Sequence, residues 1–142
     1  IPLLAATVKD GAVALEQRKW RVNAGTNYQL STGKLKGVGL GGAIRWQDRA
    51  ATGYPLTSNS LGVAVPDLNH PYWGPSTWNG DVWLSYKRKL FRERYQWSVQ
   101  LNCRNAFGDR DTIPVATNPD GRLAVFRNPN PREVFLTNTI GF

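Results

Sequence analysis

Few side chains in this chain of 142 residues are of the kinds that do chemistry. Its one histidine, His70, stands three residues after Asp67, and its one cysteine is Cys103. A lone thiol closes no internal disulfide, and no metal-ligating companions lie near it in sequence. His70 as a metal ligand would need partners that the chain does not supply. One histidine and scattered loop acids assemble no nucleophile–base or acid–base set, and no glycine-rich phosphate loop is present. The sequence therefore predicts no enzyme, no cofactor and no metal. Two groups of polar and aromatic residues remain. Tyr54, His70, Tyr72, Trp73 and Trp78 fall in a connection rich in Gly, Pro, Ser and Asn, where they either contact a ligand or pack on one another. Arg21, Arg45, Asp81 and Arg104 fall on alternating segments, where they would line a polar path or, for Arg104 with Asp81, pair as structure.

The segments that must position these residues read as strands. From Lys19 onward Trp20, Val22, Ala24, Thr26, Tyr28 and Leu30 alternate with Arg21, Asn23, Gly25, Asn27 and Gln29. Uninterrupted period-two alternation over about eleven residues suits a tilted membrane strand; strands in soluble proteins average about 5–6 residues. The same pattern predicts an antiparallel all-β meander of five long strands, roughly 19–30, 35–47, 80–91, 94–105 and 132–142. Ser31 to Lys34 is expected as the first turn and Arg92-Glu93 as a tight second one. Residues 1–17 read as loop with one helical turn. The two remaining connections are long, and in the second the sequence Asn118-Pro-Asp-Gly121 predicts a small hairpin at about 112–127.

If the first turn centres near Gly33, Trp20 faces Trp46, Val22 faces Ile44 and Tyr28 faces Val38, with Arg21 near Arg45 on the other side. The second tight turn would pair Val82 with Cys103, Leu84 with Leu101, Tyr86 with Val99 and Leu90 with Tyr95. The opposite face would join Asp81 to Arg104 and Ser85 to Gln100. Arg88 falls on the apolar face beside Trp97, where a cation–π contact would offset its cost. Such a sheet has an apolar face and a wet one. Trp20, Tyr28, Trp46, Tyr86, Tyr95 and Trp97 are then expected as aromatic girdles. On this face Cys103 acts as a small hydrophobe. Asn138 aside, the last strand follows the same rule: Val134, Leu136, Ile140 and Phe142 share one face.

Composition excludes little but sharpens this reading. Mean hydropathy is negative and no apolar run approaches the ~20 residues of a spanning helix, which leaves a β-barrel open because its strands are only half apolar. A net charge of +8 suits an anionic membrane surface or nucleic acid. The chain begins at Ile1 and contains no Met, so it is expected to be a piece, residues 1–142, of a single barrel domain whose plug and earlier strands lie upstream.

Several blocks carry a family resemblance. Arg18-Lys-Trp-Arg-Val-Asn23, Asn27-Tyr28, Gly33-Lys-Leu-Lys-Gly37, the Gly-rich run before Ile44-Arg-Trp46, and Gly53-Tyr-Pro55 resemble the C-terminal part of bacterial TonB-dependent outer-membrane receptors. Leu84-Ser-Tyr-Lys-Arg-Lys-Leu-Phe91, Gln100-Leu-Asn102, Ile113-Pro-Val115, Asn118-Pro-Asp-Gly121 and Leu136-Thr-Asn-Thr139 continue it. The resemblance implies a plugged 22-stranded barrel and uptake of a scarce solute (ferric siderophore, cobalamin or oligosaccharide) energised by an inner-membrane complex. It implies a periplasmic C-terminus and recognition of Leu136, Ile140 and Phe142 by the barrel-assembly machinery. Tyr54, His70, Tyr72, Trp73 and Trp78 would then lie in extracellular loops and Arg21, Arg45, Asp81 and Arg104 in the lumen. The competing class is a soluble basic β-sheet binding module, lipocalin-like or binding nucleic acid, which would need a second layer over the Trp20/Tyr28/Trp46 face.

Overall fold

A computed structural model describes residues 12–91 and 94–142. The apolar run from Ile1 to Val8 and the expected turn at Arg92-Glu93 lie outside them. The described residues form strands and turns with no helix; the expected helical turn before Glu16 is one hydrogen-bonded turn, Gln17 N–H to the Ala14 carbonyl at 3.3 Å. The strands are β1 (Arg21–Gln29), β2 (Val38–Gln47), β3 (Ala51–Gly53), β4 (Leu56–Ser58), β5 (Ala64–Pro66), β6 (Tyr72–Trp73), β7 (Thr77–Leu90), β8 (Tyr95–Gly108), β9 (Ile113–Thr117), β10 (Leu123–Arg127) and β11 (Glu133–Gly141).

β1, β2, β7, β8 and β11 form one five-stranded sheet in that order, with β1 and β11 at its edges. These are the five long strands read from the alternation. In the β7–β8 ladder Val82 faces Cys103, Leu84 faces Leu101, Tyr86 faces Val99, Ser85 faces Gln100 and Leu90 faces Tyr95, all as expected. β11 joins β8 with Val134 opposite Cys103, Leu136 opposite Leu101 and Ile140 opposite Trp97. One face of these three strands is therefore nearly all apolar, because period two sends every second side chain the same way.

The first hairpin differs from expectation by two residues. The turn runs on to Gly37 (φ 94°), so Leu35 and Lys36 belong to it rather than to a strand. The Leu30 N–H donates to the Val38 carbonyl at 2.8 Å and the Asp48 N–H to the Trp20 carbonyl at 3.0 Å. Trp20 thus faces Asp48 instead of Trp46, and the ladder brings Tyr28 to Leu40 and Asn23, not Arg21, to Arg45. The even-numbered faces are unchanged, since a slip of two preserves side-chain direction. β7 and β8 are also longer than expected, 14 residues each, so Trp78 lies in a strand.

Contacts gather the described residues into two units: one from Val22–Trp46, Trp78–Asp109 and Asn130–Phe142, the other from Gln47–Thr77, Arg110–Pro129 and residues 12–21. In the second unit β3 pairs with β6, β4 with β5, and β9 with β10. The β9–β10 hairpin is the one expected, closed by the Asn118 N–H to the Arg122 carbonyl at 2.8 Å, with Gly121 at φ 85°.

The core is small. Among the described residues the buried apolar side chains are Ala50, Ala51 and Ala106, and no large one is fully buried. Ala50, Ala51, Thr52 and Gly53 are all buried in the loop unit, where Thr52 Oγ1 lies 2.9 Å from Thr117 Oγ1. A Cβ on Gly53 would run into the Thr117 carbonyl oxygen, so β3 approaches β9 through small residues only.

Candidate functional site

The surface that dominates the sheet is its apolar face. Val22, Tyr28, Leu40 and Ile44 from β1 and β2 are exposed, as are Val82, Leu84 and Leu101 from β7 and β8 and Val134, Leu136 and Ile140 from β11. Leu136 is 71% exposed and Phe142, just beyond β11, is fully exposed. A soluble sheet buries this side, at about 25 cal/mol per Å² of apolar area; here no second layer of described residues lies over it.

Aromatic side chains collect at the end of this face where β7 meets β8. Tyr86 and Trp97 meet edge to face with ring centroids 6.0 Å apart, Phe91 meets Tyr95 at 5.9 Å, and Tyr95 meets Phe142 at 5.8 Å. Tyr28 closes β1 near the first short turn and is 62% exposed. Trp46 lies near the far end of β2, and Trp20 just precedes β1. The one polar residue that interrupts the last strand's apolar face is matched by this group. Asn138 Oδ1 accepts a hydrogen bond from Trp97 Nε1 at 2.7 Å, which satisfies an indole N–H and an amide oxygen together. Arg88 does stand opposite Trp97 in the ladder.

The other face is polar. Arg45 Nη2 donates to Asp81 Oδ2 at 2.7 Å and Arg45 Nε to Asn79 Oδ1 at 3.1 Å. Asp81 Oδ1 accepts the Asn105 N–H at 2.9 Å. This corrects the expected Asp81–Arg104 pair. β8 bulges between the Gly80–Phe107 and Val82–Cys103 pairs, where residues 104–106 stand against Asp81 alone, with Asn105 at φ 49°, and the two extra residues carry Arg104 away from Asp81. Arg104 instead faces Glu133 on β11 and lies 5.2 Å over the Phe135 ring. Trp83, also on this face, donates from Nε1 to Asn27 Oδ1 at 3.1 Å. Gly41 leaves it room, since a Cβ there would come within 2.5 Å of the indole. Neither Trp83 nor the Asp81–Asn105 link was singled out from the sequence; Gly39-Leu-Gly41 facing a tryptophan was the available signal.

In the loop unit the aromatic residues do not converge on one point. The Tyr54 hydroxyl donates to the Val13 carbonyl, and that of Tyr72 to the Pro119 carbonyl at 3.1 Å. Trp73 lies 4.5 Å under the Arg49 guanidinium. These contacts tie segments of the loops together, which is the self-packing alternative. His70 Nδ1 lies 2.8 Å from Asp67 Oδ2, and this hydrogen bond, ahead of the Asn69 N–H, holds the Asp67 carboxyl below its ordinary range. Burial lowers the Arg18 guanidinium from its ordinary value, with repulsion from Arg127 and Arg21 adding to it; it donates to the Asp48 carbonyl at 2.5 Å and stays charged. Trp78 belongs to the sheet unit, its N–H donating to Asp109 Oδ2 at 2.9 Å.

Among the described residues no three side chains of His, Cys, Asp or Glu stand close enough to hold a metal ion. What the arrangement offers is a two-faced wall, apolar with aromatic ends on one side and hydrogen-bonded polar groups on the other. Compared with known proteins, the chain matches no family model, no curated protein and no solved structure.

Proposed function

We propose that the five-stranded sheet is a section of the wall of an outer-membrane β-barrel, and that the barrel is an active-transport receptor of the TonB-dependent kind. The observation that carries the reading is the uncovered apolar face, continuous across all five long strands. In lipid that face is solvated by acyl chains, while Arg45, Asp81, Trp83 and Arg104 face water in the lumen. β1 and β11 have 9 residues each, about the length a tilted strand needs to cross. Tyr28, Tyr86, Tyr95 and Trp97 at one end and Trp20 and Trp46 at the other would sit at the two interfaces.

Connectivity supports the same orientation. The β1–β2 and β7–β8 connections are short and the β2–β7 and β8–β11 connections long, the asymmetry of periplasmic turns and extracellular loops. In hydrocarbon each unpaired backbone group at β1 and β11 costs several kcal/mol, so the edges require further strands, which the reading assigns to the rest of a longer protein. Leu136, Ile140 and Phe142 would serve recognition by the barrel-assembly machinery. Substrate uptake, of the siderophore, cobalamin or oligosaccharide class, and coupling to the inner-membrane energy complex would need the plug upstream. Tyr54, His70, Tyr72 and Trp73 are offered as loop residues facing the outside medium. The test is fractionation of the tagged natural protein from Gram-negative cells. Recovery in outer membranes after alkaline washing supports the reading; recovery in a soluble fraction overturns it in favour of a basic binding module.

A further inference from the structure

We propose that the polar face of the sheet carries a binding site for a carboxylate-bearing sugar, a uronate residue within an oligosaccharide, formed by Trp83, Asn102, Arg104, Phe135 and Thr137. The proposal rests on the barrel reading above, which turns this face to the lumen, and narrows its substrate class to acidic oligosaccharides. A cleft of about 430 Å³ opens on this face, and its lining includes Asp81 with the side chains just named. That volume falls within the range of small-molecule sites, about 300–1,000 Å³.

The bulge in β8 is what makes a cation available here. Asp81 is engaged at both oxygens: one takes Arg45 Nη2 at 2.7 Å and the other the Asn105 N–H at 2.9 Å. Asn105 stands at φ 49°, a conformation that asparagine adopts more readily than most residues, and a bulge of this kind re-aims a neighbouring side chain. Arg104 is the one re-aimed. Its guanidinium lies 5.2 Å over the Phe135 ring, although Glu133 stands opposite it in the ladder. Among the described residues Arg104 enters no ion pair. A guanidinium placed over a ring keeps its N–H edge for a planar acceptor.

The rest of the cleft suits a ring bearing hydroxyls. Trp83 faces Asn102 across β7 and β8, and Asn102 faces Phe135 across β8 and β11. Two aromatic side chains therefore flank one amide on the polar face, two strand spacings or about 10 Å apart. Trp83 is anchored by Nε1 donating to Asn27 Oδ1 at 3.1 Å. Gln100 Nε2 donates to the Asn102 oxygen at 2.7 Å, which leaves the Asn102 amide N–H groups to donate to a ligand, and the Thr137 hydroxyl can donate or accept. Aromatic faces suit the C–H face of a pyranose, the amide and hydroxyl suit its hydroxyls, and the Arg104 fork suits its carboxylate. A neutral sugar would leave the fork without an acceptor; a bare carboxylate would leave the aromatic and amide groups unused.

The experiment uses the natural full-length protein in detergent micelles. Isothermal titration calorimetry compares trimers of galacturonate, glucuronate and mannuronate with their methyl esters, which keep the rings and lose the charge. At least one trimer should bind about tenfold more tightly than its ester. Arg104→Gln should bring acid and ester close to equal while retaining the strand signal in circular dichroism. Arg104→Lys, which keeps a cation there and so spares the fold, should still lose about threefold of the preference with the planar fork. Thr137→Val should weaken acid and ester alike. Glu133→Gln should not weaken the acid, and Arg94→Gln should leave the preference unchanged. No binding of any trimer, an ester bound as tightly as its acid in the wild type, or a preference that survives Arg104→Gln overturns the site. Displacement by citrate as effective as by free trimer, at constant ionic strength, would make the cleft a plain anion site and overturn the sugar assignment. Each of these leaves the membrane reading standing when the protein fractionates with outer membranes. Recovery in the soluble fraction overturns that reading, and the lumen placement with it, whatever the trimers do.

Discussion

Asn138 shows how one residue can look wrong in a pattern and be right in the fold. It breaks an otherwise apolar face, yet its side-chain oxygen meets the Trp97 indole N–H at 2.7 Å. A neutral hydrogen bond of this kind is worth about 1 kcal/mol net. A double-mutant cycle of Asn138→Ala with Trp97→Phe, followed by unfolding in lipid or detergent, should give a coupling of about that size. Strict additivity would mean that the two side chains do not hold each other. A second residue-scale expectation concerns Asp67. Its carboxyl is held below the ordinary range mainly by the His70 side chain. A depressed carboxyl adds stability that is present above its unfolded value and is lost as pH falls through the folded value. Asp67 lies in a surface loop and its partner His70 is largely exposed, so the effect belongs to the loop rather than to the whole fold. Carbon-detected NMR titration should find the Asp67 midpoint below that of an unstructured Asp, moving upward in His70→Ala. An unchanged midpoint would detach the pair.

Strand elements came through best where alternation and a tight turn act together. The β7–β8 register was readable because two 14-residue strands offer a long run of matching apolar pairs, and a slip of one would turn them all to water. The β1–β2 register was readable only to within two residues, because a positive φ at Gly37 extends the turn and nothing in Ser31-Thr-Gly-Lys34 announces it. The bulge at Asn105 was invisible for a similar reason, and with it went the partner of Asp81. Strands β3 to β6, of 2 or 3 residues each, are too short to show any period. Their pairing depends on close approach of Ala51, Thr52 and Gly53, which is a tertiary fact. The polar-face site was therefore half legible: Arg45 and Asp81 were named, but not as partners. Their energies should differ. Asp81 holds both Arg45 and the bulge N–H of Asn105, whereas the Arg45 side chain is 48% exposed. Arg45→Ala should cost less than about 1 kcal/mol, and Asp81→Ala about 2 kcal/mol through the unsatisfied bulge. Equal losses in chemical denaturation would contradict a structural role for the bulge.

For the whole molecule, one sheet presents two chemically opposite surfaces and buries no large side chain fully among its described residues. Water on both faces would leave Leu40, Ile44, Leu84, Leu101, Leu136 and Ile140 without cover; lipid on one face, as proposed, would supply it. The membrane account places Trp46 and Trp97 on the lipid side and Trp83, hydrogen-bonded to Asn27, on the lumen side. The most direct measurement is tryptophan quenching by brominated phosphatidylcholine in the natural full-length protein, read as differences against Trp46→Phe, Trp97→Phe and Trp83→Phe. The account expects quenching to fall when Trp46 or Trp97 is replaced and to be unaffected by replacing Trp83. Quenching carried by Trp83, or none from Trp46 and Trp97, would contradict it.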